Sequence, residues 1–235
     1  MNGLLAQLVE IETIAVACAA SPPQADCLIC PPATLLALAA RLAAGRIAIG
    51  AQTCDAGISG AYTGDISANM CRNAGASAVI LGHSERRRFH GETNEQVSTK
   101  VRAAWAAGLL AIVCIGETER QRVEGRTRTV LDDQMDGSLP DGLTAQTTVV
   151  AHEPLWSIGT GLTPEPAEIE AVHARIRQAL VARFGDEGLS VNILYGGSVT
   201  PDNARDILQL ANVDGALVGG ASLDAIAFEA ILRSA

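Results

Sequence analysis

Short apolar runs alternate with longer amphipathic segments from one end of the chain to the other. Runs of strand length lie at 27–30, 47–50, 78–81, 110–114, 147–151, 191–194 and 215–218. Between them apolar residues recur at helical spacing, which predicts helices near 3–18, 32–44, 66–75, 94–107, 118–135, 165–184, 201–210 and 223–232. Several starts carry cap chemistry: Thr93 before Asn94-Glu95-Gln96, Thr163 before Pro164, and Thr200 before Pro201-Asp202. Strand followed by helix, repeated, predicts a parallel sheet, and strands apolar on both faces predict burial on both sides. No linker or low-complexity stretch interrupts the series, so residues 1–235 are expected to form a single α/β domain. The acidic, glycine-containing stretch 132–141 lacks the ligand spacing of a calcium loop and reads as a solvated helix end and turn.

This pattern supplies eight helices but seven strands. An eight-stranded parallel barrel ordinarily runs to about 250 residues, and the chain opens directly on a helix. The expectation is therefore a barrel lacking the strand that would precede Met1.

Composition narrows the function classes. Of 235 residues, 48% are hydrophobic but only 3% aromatic, so the core must be built from Ala, Val, Leu and Ile. A formal net charge of −9 argues against nonspecific binding to nucleic acid or an anionic membrane. An anionic substrate would need a local site of backbone N–H groups and a few cations. No apolar run approaches the roughly 18 residues of a membrane span. The segment ending in Ala17-Cys18-Ala19-Ala20 carries Glu10 and Glu12 and no basic region precedes it, so it is not read as a signal peptide. Six cysteines are scattered, and the lone pair Cys27 and Cys30 has no second pair at zinc-like spacing. Positions i and i+3 of a strand face opposite sides, so a structural role is expected for both. Reduced thiols without a targeting signal point to the cytoplasm.

The most informative run is Ala151-His152-Glu153-Pro154-Leu155-Trp156-Ser157-Ile158-Gly159-Thr160-Gly161. A carboxylate at the C-terminal end of a strand is placed to act as a base at a barrel mouth. Pro154 stiffens the chain after it, and Gly159 and Gly161 permit a loop that approaches a ligand closely. A base joined to such a lid points to chemistry shielded from water. Gly82-His83-Ser84-Glu85 follows another strand, where His83 is either an electrophile and acid–base group or a hydrogen-bonded structural histidine. The last two strands end in Gly196-Gly197-Ser198 and Gly219-Gly220, where such barrels hold a phosphate on backbone N–H groups.

These stretches, with Ala51-Gln52, Gly60-Ala61-Tyr62-Thr63-Gly64-Asp65-Ile66-Ser67, Cys114-Ile115-Gly116-Glu117 and Leu217-Val218-Gly219-Gly220, occur in an order and spacing that resembles the triosephosphate isomerase family from Met1 to the end. The resemblance implies a (β/α)8 TIM barrel, here with seven strands and eight helices. It implies interconversion of dihydroxyacetone phosphate and glyceraldehyde 3-phosphate, without metal or organic cofactor. By motif match it makes Glu153 the base that moves a proton between C1 and C2 through an enediolate, and His83 the group that polarises and protonates the oxygens. It assigns phosphate contacts to Gly159, Ser198, Gly219 and Gly220, and the closing lid to Ile158, Gly159, Thr160 and Gly161. Glu165, at the start of the next helix, receives no catalytic part. A homodimer is also implied, with Thr63 on the loop 54–64 reaching the partner's site. Asp65 stands where the family more often has Glu, Leu162 where a lysine is frequent, and Thr53 where asparagine is common.

In the family an Asn-x-Lys ends the first strand immediately before a Met-Asn-Gly like Met1-Asn2-Gly3, so the resemblance implies that this chain lacks that lysine and is impaired. Lys100 is the only lysine and lies on a helix; Arg86 and Arg87 follow the His83 strand. Glu85, implied to pair with the lysine and counted with the catalytic groups, is expected either to titrate higher or to turn away. Two rivals remain: a noncatalytic phosphometabolite-binding barrel, and an aldolase-type enzyme, which needs a strand-borne lysine.

Overall fold

The structure, a computed structural model, describes residues 1–160 and 162–235. Seven strands, β1 (Leu28–Ile29), β2 (Ala48–Ala51), β3 (Ala78–Leu81), β4 (Leu110–Ile115), β5 (Thr148–His152), β6 (Ile193–Tyr195) and β7 (Gly215–Ala216), form one sheet in sequence order. Every pairing is parallel, and β1 and β7 are its two edges. Each expected run thus became a strand, within three residues of the predicted ends.

The alternation of side chains sorts the strands into two apolar layers. Val79, Leu81, Ala111, Val113 and Val150 point outward into the packing against the helices. Ala78, Ile80, Ile112, Cys114, Val149 and Ala151 fill the interior of the curl. The shortage of aromatic residues is met by small and branched side chains on both faces. Cys27 packs with the outer layer and Cys30 with the inner one, so the two thiols lie on opposite sides of the sheet. All six cysteines are free, and burial pushes Cys27 and Cys30 up to about 12.

Eleven α-helices occur among the described residues: α1 (Leu8–Ala20), α2 (Leu36–Ala43), α3 (Ala68–Asn73), α4 (Ser84–His90), α5 (Asn94–Ala106), α6 (Glu119–Val123), α7 (Thr127–Ser138), α8 (Pro166–Phe184), α9 (Asp186–Ser190), α10 (Ala204–Leu208) and α11 (Ala225–Leu232). The eight expected segments are all present, but 118–135 divides into α6 and α7 because Gly125 turns left-handed, with φ 69°. The additional α4 and α9 are too short to show helical periodicity in sequence. Thr93 caps α5 with a reciprocal bond to Gln96, as expected. The other two cap expectations are corrected. Glu165, not Thr163, is the cap position of α8, with Pro166 in its first turn, because its N–H donates to the Glu168 carboxylate at 3.3 Å. Thr200 and Pro201 form a preceding turn, and α10 starts after Asn203, whose side chain accepts from the Thr200 N–H. Among the described residues no helix is long and apolar enough to cross a membrane.

Candidate active site

Glu153 is the first residue beyond β5. Its N–H donates to Ile115 O at 2.7 Å, which fixes the backbone to the end of β4. The carboxylate is buried, with only 2% of the residue exposed, yet it is fully partnered. Ser84 donates its N–H at 3.0 Å and its hydroxyl at 3.2 Å, and His83 Nε2 lies 2.9 Å from Oε1. The sequence reading missed Ser84, although it adjoins His83. A side-chain-to-carboxylate contact across 69 positions has no local signature.

The geometry also fixes the tautomer of His83. This residue caps α4, and its Nδ1 accepts from the Glu85 N–H at 3.3 Å. A neutral imidazole that accepts at Nδ1 must carry its proton on Nε2, the atom facing Glu153. Burial opposes charging of the ring, but the hydrogen bond and the negative charge of Glu153 outweigh it and raise the His83 pKa above its usual value. Replacing Glu153 by glutamine is therefore expected to lower the His83 pKa, measured by imidazole 15N titration. The sign carries over to stability. What this pair contributes is complete below the unfolded histidine value of about 6.5 and is lost as pH rises through the folded value.

A buried cluster holds the start of the lid. Glu117 accepts from Trp156 Nε1 at 3.0 Å and pairs with His152 Nε2 at 3.2 Å, so the residues flanking Glu153 share one carboxylate. Burial works against that charge, but His152 and Trp156 outweigh it and hold Glu117 below the usual carboxylate range. His173 stacks edge-on against His152 and binds Asn212 O; burial lowers its pKa to about 4 and keeps it neutral. Ser157, fully buried, donates to Leu162 O and accepts from the Ser198 N–H at 3.2 Å, linking the lid's base to the expected phosphate site. Thr160 bonds back to Trp156 O and Ser157 O. Ile158 is exposed, and Gly159 takes φ 67°. Gly161 lies outside the described residues.

At the far side of the mouth, Gly219 and Gly220 are exposed and open a 3₁₀ turn, Gly220–Leu223. A side chain at either would meet nothing within 4 Å, so a ligand has room to approach the backbone there. The mouth therefore presents a buried carboxylate, an imidazole Nε2–H and, apart from them, exposed backbone donors.

The cations of the sequence are engaged elsewhere. Lys100 lies 2.6 Å from buried Glu92, which also faces Arg86 at 3.6 Å. Arg87 donates to Gly82 O, Cys114 O, Asn94 and Ser138, tying β3 to β4 beneath the mouth. Glu85, expected to titrate higher or turn away, has turned away: its side chain is 73% exposed and its carboxylate is 4.0 Å from His83 Nδ1. Thr63 lies on an exposed loop, pinned at its root where Asp55 pairs with Ser67. Beside it Ile58, Tyr62 and Met70 are exposed apolar side chains. Glu165 serves as a helix cap. Among the described residues no three His, Cys, Asp or Glu side chains are grouped to hold a metal ion.

Known proteins are similar to this chain over nearly all of its length. The family model for triosephosphate isomerase matches residues 1–235. The triosephosphate isomerase of Rhodopseudomonas palustris (strain BisA53) is 56% identical over 234 residues, covering 98% of this chain and 92% of that protein. That of Ruegeria pomeroyi is 56% identical over 236 residues, covering 100% and 93%. The crystal structure of triosephosphate isomerase from Bartonella henselae superposes with a TM-score of 0.93 at 46% identity, covering 100% of this chain and 94% of that one. With seven parallel strands in a TIM-barrel order, a glutamate beyond β5 and a histidine beyond β3, the chain belongs to the triosephosphate isomerase family.

Proposed function

We propose that this chain interconverts dihydroxyacetone phosphate and glyceraldehyde 3-phosphate with Glu153 as base and His83 as electrophile. The observation that carries the reading is the 2.9 Å contact between His83 Nε2 and Glu153 Oε1, which sets a proton acceptor against a proton donor at one mouth. Substrate enters by displacing that contact. Glu153 takes a proton from C1 and the C–H electron pair becomes the C1–C2 double bond. The C2 carbonyl oxygen gains the charge and accepts from His83 Nε2–H. Return of the proton to C2, with transfer between the oxygens, completes the aldose. The phosphate is held by N–H or hydroxyl contacts from Gly159, Ser198, Gly219 and Gly220, and the lid at 158–161 excludes water from the enediolate. Glu85, solvated, takes no direct part.

The test is solvent exchange. In D2O the chain is expected to place deuterium at C1 of recovered dihydroxyacetone phosphate, read by proton NMR, and Glu153→Gln to slow that exchange at least about 10²-fold. Recovery of unlabelled substrate beside bound 2-phosphoglycolate would favour a noncatalytic binder.

Lys100, Arg86 and Arg87 are each bonded to other groups of the protein, so in this reading of the chain His83 is the side chain that meets the enediolate oxygens. We place the chain in the cytoplasm, as one domain and as a homodimer through the Thr63 loop, where Ile58, Tyr62 and Met70 would be covered. Light scattering at micromolar concentration is expected to return twice the 24.3 kDa chain mass; the chain mass alone would remove the assignment of Thr63.

A further inference from the structure

We propose that Gln134 is a positioning residue for Glu153, acting through the peptide of Gly116. The proposal rests on the isomerase reading above. Gln134 lies on α7, and its side-chain amide makes both available bonds to a single residue of the β4 tail. Oε1 accepts from the Gly116 N–H at 2.7 Å, and Nε2 donates to Gly116 O at 3.0 Å. On the opposite side Gly116 is pressed against the base. A Cβ at this position would lie 1.8 Å from Glu153 O and 2.8 Å from its carbonyl carbon. The Gly116 peptide is thus a spacer held between an amide clamp and the main chain of Glu153.

Two further links run outward from the same spacer. Glu117, the next residue, accepts the Leu155 N–H on its carbonyl and the Trp156 indole on its carboxylate. Ser138, one turn beyond Gln134, bonds Arg87, whose guanidinium reaches Cys114 O at 3.2 Å. One face of α7 therefore sets the height of the β4 tail at Cys114 and at Gly116. Loss of the Gln134 amide would free the peptide that fixes both the carbonyl of the base and the first hinge of the lid. The Ser198, Gly219 and Gly220 donors sit beyond β6 and β7, outside this clamp.

The clamp needs a donor and an acceptor on one planar group. Glutamate at 134 has the right shape but supplies the donor only when protonated, which provides a test that simple destabilisation does not imitate. Gln134→Met, which keeps the length and removes both bonds, is expected to lower kcat at least about tenfold, since small misplacements of catalytic groups cost up to about 10²-fold. KM should change less than about threefold. For Gln134→Glu, the ratio of its kcat to that of the unmodified chain should rise as pH falls. A second readout needs no turnover. The indole N–H resonance of Trp156 should move in both variants, while that of Trp105, bonded to Thr147 O, stays in place as an internal control. A lower melting temperature with kcat per folded molecule and the Trp156 resonance unchanged would overturn the proposal. If the unmodified chain itself shows no turnover, the isomerase reading fails separately, and the Trp156 resonance alone decides the clamp.

Discussion

Glu153→Gln is expected to lower kcat by about 10²–10⁴-fold, the range that a positioned general base contributes. The amide keeps the volume of the side chain in a site that excludes solvent, and Ser84 Oγ can still donate to its carbonyl oxygen. Binding of 2-phosphoglycolate should persist, because three of the four proposed phosphate contacts, Ser198, Gly219 and Gly220, lie beyond β6 and β7. The fall should therefore appear in kcat, and steady-state kinetics with a binding isotherm for the mimic separate the two. Loss of binding in proportion to loss of turnover would place Glu153 among the ligand contacts and not at the proton transfer.

Gly116→Ala is the second change with a large expected effect, and it acts on the fold as well as the chemistry. The new methyl would meet backbone, the Glu153 carbonyl at 1.8 Å, so no rotamer change relieves it. The tails of β4 and β5 would have to part, straining the Glu153 N–H to Ile115 O bond and the Leu155 N–H to Glu117 O bond. Inserting a methyl into a packed site typically costs about 1–3 kcal/mol, occasionally more. With backbone on the receiving side, about 3 kcal/mol or more is expected, read as a lower urea midpoint at constant slope. Turnover of the folded fraction should also fall, since the base shifts with its carbonyl. By contrast, Gly219→Ala has open space around it and should leave stability nearly unchanged while weakening phosphate binding.

Much of this arrangement was legible in the sequence, for identifiable reasons. The strands were found because each is apolar on both faces, as Ala78–Leu81 is throughout. Glu153 and His83 stood out because each directly follows such a strand, where a polar residue needs explaining. Helix ends were less legible. The residues that cap α8 and lead into α10 compete with equally plausible neighbours, and only the bonds made in the fold, such as Glu165 N–H to Glu168, decide. The split between α6 and α7 turned on one glycine's backbone angle. Least legible were the supports of the site. Gln134, Ser138 and Arg87 are ordinary polar residues on helices, and their roles exist only where α7 meets the β3 and β4 tails. Glu117, read as part of a motif, proved to be the shared partner of the residues on either side of the base.

The most direct measurement is the rate at which the 235-residue chain interconverts the two triose phosphates in a coupled assay, with intact mass confirming its ends. The account predicts turnover above the uncatalysed rate that falls about 10²–10⁴-fold in Glu153→Gln. Tight capture of 2-phosphoglycolate with no turnover, or turnover left undiminished by Glu153→Gln, would contradict it.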